Sequence, residues 1–468
     1  AESEEFCVCP SGSIKSTSGD GSCVTCSDGL QCAWDKYFTD EDVIEGKAEI
    51  KVQMASRNQT YPELLPGYWA SATDSPSTMV QNVFECTSTE RCPGGMPGTC
   101  RADMTDRSCA KCVADYEHED DICVRCASNV ALRVIGQIIF IWFVLGFLTN
   151  SWNKKAAHTE AAEGVLASIT VSLMLSFAQT LGIFSLMPLE WPNVVFDFFS
   201  VFRFLLMDMS IFSPACFFGD TLASYYAIEL LVPIILIALV ISWLPISQLF
   251  RFANVSWLTP FNIDGVISFL GMFIQLAYIA MAMVVTSVVV CGDNPSGKRT
   301  LKSAPYVLCF EGEHGPLIAV GVVALLVYII VPMAVFVHAC AVLPEQIVKP
   351  TVASRYKSLY FKFNPSFFWY GCLHMLRSFL LALVPVLTPD DAHAQQSMML
   401  SIVIFSLFLQ LIYSPYVDRF ANMLENLELM ILIGILVLCT WFLTKNDIAS
   451  FDEMEDSSKK NALGWVIV

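Results

Sequence analysis

Charge is what this sequence has least of. Asp, Glu, Lys and Arg make up 15% of its 468 residues, against about 25% in an ordinary soluble domain. So little polar surface cannot cover a globule of this size, which argues against a single soluble protein. Positive charge is scarcer still: 27 Lys and Arg stand against 44 Asp and Glu, which argues against a basic nucleic-acid-binding face. Catalytic signatures are missing as well. There is no phosphate-cradling glycine loop, no His-Glu-x-x-His and no nucleophile elbow, and the 6 histidines are scattered. Neither an enzyme nor a bound cofactor or metal is expected. Long apolar runs are absent too, but only before Val130.

After Val130 the pattern reverses. Hydrophobic residues are 55% of the chain, and apolar windows of about 18 residues or more recur. The fold class is therefore mainly α: a polytopic bundle of 8 to 9 spans preceded by a small disulfide-rich, loop and β domain. Residues 1–127 form the cysteine-rich domain, 128–445 the bundle, and 446–468 an acidic linker and the start of a further span. The first 127 residues carry 22 acidic side chains against 10 basic. That excess keeps a secreted domain soluble, and it would also draw cations toward a pore mouth.

Cysteine is divided in the same way. Of 18 cysteines, 12 lie at or before Cys126: Cys7, Cys9, Cys23, Cys26, Cys32, Cys86, Cys92, Cys100, Cys109, Cys112, Cys123 and Cys126. CAKCVADYEHEDDICVRC, from Cys109 to Cys126, has near zinc-ribbon spacing. CVCPSGSIKSTSGDGSCVTCSDGLQC, from Cys7 to Cys32, repeats its style. Two such units in one acidic segment favour disulfides over zinc, which would need thiolates kept reduced. Asn58-Gln59-Thr60 is an N-glycosylation sequon and supports an outside location. The chain starts at Ala1 with neither Met nor an apolar leader, which a cleaved signal peptide would explain. Residues 33–85 lack cysteine and hold the strand-like KAEIKVQM and the turn-rich LPGYWASATDSPS, so a small β module is expected there.

PGYWAS, then FECTSTERCPGGMPGTCRADMTDRSCAKCVADYEHEDDICVRC, resembles the ephrin-receptor-like and EGF-like cysteine-rich repeats of large protist surface proteins. In those proteins such repeats run directly into multi-pass membrane domains. The resemblance implies an extracellular module and says little about what it binds.

Apolar length places spans at about 130–149, 164–187, 228–250, 265–290, 316–342, 367–387, 396–413 and 427–443. Trp142, Trp152, Trp191, Trp257, Trp369, Tyr413 and Trp441 suit interfacial belts. With residues 1–127 outside, Lys154, Lys155 and Arg251 fall in cytoplasmic loops, as does the main basic cluster Lys349, Arg355, Lys357 and Lys362. Asp390 and Asp391 fall outside, as does a loop expected to be closed by Cys291 and Cys309. Lys298, Arg299 and Lys302 in that outer loop run against the positive-inside rule. The Asn254 sequon falls inside, where it is not glycosylated. Trp191–Asp220 is apolar yet carries Asp197, Arg203 and Asp208. A full span there would invert every later loop, so an interfacial or re-entrant helix, or a helix pair that does not cross, is expected. The terminal NALGWVIV reads as the beginning of a ninth span.

Ionisable residues at bilayer depth are costly and mark candidate sites. The set is Asp197, Arg203, Asp208, Arg377, Gln410, Glu425 and Glu428. Arg377 lies midway along the sixth span and Gln410 late in the seventh; Glu425 and Glu428 are read as opening the eighth, on one helical face. Acids at a helix start also suit its dipole, so pairing competes with ion conduction for each residue. His338 and His374 fall inside spans and read as hydrogen-bonded packing residues.

RYKSLYFKFNPSFFWYGCLHMLRSF, then YSPYVDRFANMLENLELM, resembles the transient-receptor-potential-like membrane family of fungi and protists. The shared features are an aromatic-basic linker into a span with an Arg, then a Pro before an Asn-x-x-Glu helix start; SPACFF is also similar. The likeness covers much of residues 160–445 and implies a cation channel or a channel-derived sensor. It supplies no selectivity filter, for there is no Gly-Tyr-Gly-like stretch. The leading expectation is a plasma-membrane cation channel modulated by its ectodomain. The alternatives are a receptor or adhesion protein, an accessory subunit of a larger assembly, and a lipid transporter. The expected partners are the bilayer, cations, an extracellular protein or glycan ligand, and further copies or subunits.

Overall fold

A computed structural model describes residues 13–15, 23–31, 63–72, 82–119, 122–157, 162–187, 193–206, 214–219, 221–252 and 261–443. Cys7, Cys9, Cys32, Asn58, KAEIKVQM, Trp191, Asp208, Asn254, Trp257 and the terminal NALGWVIV lie outside these residues. So do the side chains of Cys23, Lys154, Lys155, Arg203, Arg251 and Trp441.

The chain is mainly helical, and among the described residues eight helices are long and apolar enough to cross a membrane. Numbered as spans one to eight they are Val130–Trp152, Leu166–Phe184, Leu222–Phe250, Ile263–Ser287, His314–Gln346, Tyr370–Leu387, Ala392–Tyr413 and Arg419–Thr440. Most ends fall within a few residues of those expected from apolar length. Span three starts early, at Leu222 rather than 228, and the eighth departs most, beginning at Arg419 and not near Leu427. Its first turns, RFANMLEN, are too polar to register by hydropathy. They are fixed by Asp418, whose Oδ1 accepts from the Phe420 and Ala421 amides at 2.7 and 3.2 Å. Glu425 and Glu428 therefore lie well inside the helix and do not open it, so the helix-dipole reading of these acids fails. Asn422 is likewise one turn in rather than at the start.

The chain divides into two compact units. The first comprises 1–128 together with two later stretches, 213–225 and 291–317. It is built from two- and three-stranded antiparallel hairpins, such as Tyr116–Glu119 with Ile122–Arg125. The cores of these hairpins are small, and cysteine supplies much of what is buried there. Bridges join Cys86–Cys92, Cys100–Cys109, Cys112–Cys123, Cys126–Cys216 and Cys291–Cys309. Cys26 is also disulfide-bonded.

The later stretches are knitted into this unit. Cys126 bonds Cys216 across 90 residues of sequence. The Glu85 amide donates to Asn294 Oδ1 at 3.1 Å, and Arg107 donates to the Tyr306 carbonyl at 2.6 Å. The Lys111 ammonium sits 4.0 Å from the Tyr306 ring centre. The charges that oppose the positive-inside rule find partners here. Lys298 donates to Asn82 at 2.7 Å, and Arg299 pairs with Asp293 at 2.7 Å.

The second unit holds most of the span residues. Between spans two and three the chain forms an 11-residue helix, Asn193–Arg203, continued by a 3-10 turn at Phe204–Leu206. That is far short of the ~20 residues a crossing needs. Val195 and Phe199 are fully buried against Leu181, Phe184 and Met399, so this short helix packs against the core of the second unit.

Spans three and five carry prolines within their helices, and tyrosines from neighbouring helices donate to backbone carbonyls near them. Pro332 has no N–H for the preceding turn, and a wide π turn, Leu326–Ile330, lies just before it. Tyr278 donates to the Ile329 carbonyl there at 3.2 Å. Tyr328 donates to the Leu230 carbonyl at 2.6 Å, close in sequence to Pro233.

Trp142 is not part of an interfacial belt. It sits at the middle of span one, stacked on Trp243 at 4.5 Å, and donates to Ser242 at 2.8 Å. Trp369 and Tyr413 lie at the ends of spans six and seven, with ring centres 5.1 Å apart.

Candidate functional site: a buried ion-paired layer

Span six runs from Tyr370, so His374 and Arg377 fall three residues apart on one face. Span eight returns antiparallel to span seven and presents Glu425 to that face. Arg377 Nη1 lies 2.7 Å from Glu425 Oε1, and His374 Nε2 lies 3.3 Å from the same oxygen. The Glu425 side chain is 2% exposed and that of Arg377 13%. A buried carboxylate persists as an ion only with such a partner.

The layer is closed by a loop that backbone bonds hold in place. The Asn364 amide donates to the Pro415 carbonyl at 2.8 Å, and the Val417 amide to the Lys362 carbonyl at 3.1 Å. This zips 362–364 to 415–417 and swings Tyr416 inward. Its hydroxyl lies 3.5 Å from Glu425 Oε2 and 3.4 Å from His374 Nε2. Asn422 fixes the loop from span eight, donating to the Tyr416 carbonyl at 2.9 Å and accepting from the Tyr416 amide at 3.2 Å. Gln410 on span seven donates to the same Asn422 oxygen at 3.2 Å.

Lys362 belongs to this layer rather than to a solvated basic loop. Its Nζ donates to Gln275 Oε1 at 3.1 Å. Burial pushes its ammonium down to about 8, against the opposing pull of the Glu425 carboxylate. Burial, and then the Glu425 charge, hold the Tyr416 phenol well above its usual range. Lys362, Gln275, Gln179, His374, Ser378 and Tyr416 help to line a cavity of about 40 Å³, large enough for water. On the other side of His374 and Arg377 a cavity of about 270 Å³ opens between spans six and seven, lined mostly by apolar side chains. His374 borders both cavities.

Of the residues singled out in the sequence, the structure brings together Arg377, Glu425 and, through Asn422, Gln410. Glu428 is buried one turn on, and its Oε1 has no hydrogen-bond partner among the described residues. Asp197 is exposed on the Asn193–Arg203 helix. Asp208 and the Arg203 side chain lie outside the described residues. His374 is a hydrogen-bonded packing residue as expected, whereas His338 is exposed on span five. Sequence reasoning does not place Tyr416, Asn422, Lys362 or Gln275 in the site. The i, i+3 pairs His374/Arg377 and Asn422/Glu425 are the available signal; nothing local marks Tyr416 or Gln275.

The four cysteines of the Cys109–Cys126 motif are all bonded, Cys109 to Cys100, Cys112 to Cys123 and Cys126 to Cys216. Their sulfurs are committed to disulfides and are not a zinc set. Cys216 is the partner that sequence spacing does not reveal.

Eight apolar spans define an integral membrane protein, and the disulfide-rich first unit fits an extracellular or lumenal domain. No family model, no curated protein and no solved structure matches the chain.

Proposed function

We propose that this protein is a cation-permeable channel of the plasma membrane, of transient-receptor-potential-like type, modulated by its cysteine-rich ectodomain. The observation that carries the reading is the His374–Arg377–Glu425–Tyr416 layer, set between a polar cavity and a larger, mostly apolar groove between spans six and seven. A paired layer of this kind blocks passage while closed. It can open when spans six and eight separate, because Glu425 then becomes a free carboxylate facing water. The acidic ectodomain would concentrate cations at the outer mouth.

Modulation is supported by the way the first unit is assembled. The stretches 213–225 and 291–317 belong to it and continue directly into spans three, four and five. Strain on the ectodomain reaches those helices through covalent chain. The same coupling favours a second reading, a surface receptor for a protein or glycan that passes a signal without conducting. An accessory role in a larger assembly, or further copies around a pore, would use the same coupling.

Single-channel recording of the purified protein in a planar bilayer, under cation gradients and membrane tension, separates these readings. Discrete cation-selective openings altered by Glu425→Gln support the channel. A silent bilayer with folded, inserted protein supports the receptor.

A further inference from the structure

Three cysteines among the described residues are free: Cys340, Cys372 and Cys439. The five bridges named above all lie in the first unit. Two of the free thiols meet. Cys340 Sγ and Cys372 Sγ are 3.7 Å apart, and Cys340 Sγ also lies 3.5 Å from the Phe368 carbonyl oxygen. Cys340 is near the end of span five and Cys372 near the start of span six. The connection between them carries Lys349, Arg355 and Lys357, the solvated part of the main basic cluster, which marks the cytoplasmic face. Thiols on that face rest reduced. Both are half-buried rather than sealed. A disulfide needs its sulfurs at about 2.05 Å, so this pair must close by about 1.7 Å from its present 3.7 Å.

We propose that Cys340 and Cys372 form a reversible disulfide site that ties span five to span six, closed by a peroxide-class oxidant. One thiolate attacks the peroxide; its O–O bond breaks, the sulfur becomes a sulfenic acid, and one water leaves. The second sulfur then attacks the sulfenic sulfur. The S–S bond forms, the S–O bond breaks, and the hydroxide leaves as water with the second thiol's proton. Two thiols and one peroxide thus become one disulfide and two waters. Two small thiols of the glutathione class reverse it by exchange and leave as their own disulfide. The site is independent of whether the chain conducts.

The test uses the full chain in detergent or nanodiscs, treated with hydrogen peroxide and digested without reductant for mass spectrometry. The expected product is a peptide pair joined through Cys340 and Cys372, two hydrogens lighter than the thiols. It disappears with dithiothreitol and in Cys340→Ser or Cys372→Ser, and it persists in Cys439→Ser. Both thiols still alkylatable after peroxide, separate sulfinic acids, or a bond from either residue to Cys439 would overturn the proposal. The wild-type chain alone decides between these outcomes, so a serine variant that fails to fold does not blunt the test.

Discussion

Neutralising Glu425 gives the sharpest test of the buried layer. In Glu425→Gln, the Arg377 guanidinium, 13% exposed, loses its 2.7 Å partner and faces a neutral amide. At an effective dielectric of about 20, a pair at that distance is worth roughly 6 kcal/mol of gross attraction. The new amide and His374 recover part of it. Breaking a buried pair from one side costs about 3–5 kcal/mol, because a desolvated charge is left behind. Arg377→Met strands Glu425 in the same way, with His374 and Tyr416 as its remaining contacts. Arg377→Met with Glu425→Met removes both charges and keeps long side chains. Most of the lost stability should return, giving a coupling of about 2 kcal/mol or more in a double-mutant cycle. The assay is equilibrium unfolding in mixed micelles, read by tryptophan fluorescence. Single variants within about 0.5 kcal/mol of wild type, or additive singles, would refute a buried ionic pair at this position.

Three further outcomes are expected. Lys362 is depressed to about 8 from the ordinary 10.5, so its stabilising contribution is present above 10.5 and lost as pH falls through 8. Stability should therefore rise between pH 8 and 10 by up to about 3 kcal/mol. Tyr416, raised in the fold, acts in the opposite direction and only above pH 10, where the unfolded phenol ionises first and stability falls; a flat profile between pH 8 and 10, or one unchanged in Lys362→Gln, would contradict the burial of the lysine. Removing the Cys126–Cys216 bridge as a double alanine variant should cost about 2–4 kcal/mol and lower the melting temperature, since it closes a loop of 90 residues; an unchanged melting curve would show that the loop is held without it. Gly146→Ala should destabilise by about 1–3 kcal/mol, because an added Cβ would overlap the Trp243 ring where spans one and three meet; wild-type stability would show that those spans pack otherwise.

Much of the architecture is legible because lipid imposes one simple rule. A crossing helix must be apolar for about 20 residues, and that length is readable without knowing any neighbour. Where a helix start is polar, as at Arg419–Asn426, hydropathy misses it; only the Asp418 cap shows where the helix begins. Trp142 illustrates the same limit. Its type suits an interface, but its place at mid-span is set by Trp243 on another helix. The candidate site is legible by half. Arg377 and Glu425 stand out because charge at bilayer depth is rare, yet the two are 48 residues apart in sequence. No local spacing joins them.

A membrane protein of eight or more spans with an oxidised domain follows from the order of residues alone, because apolar length and cysteine density are properties of composition along the chain. Which charges pair, which cysteines bond and which loops join the ectodomain are settled in three dimensions. Cys126 to Cys216, Arg377 to Glu425, and Lys362 to Gln275 are each separated by 48 to 90 residues. A buried ion or a disulfide is fixed by the single partner that packing places within about 4 Å, and the distance along the chain carries no record of that choice.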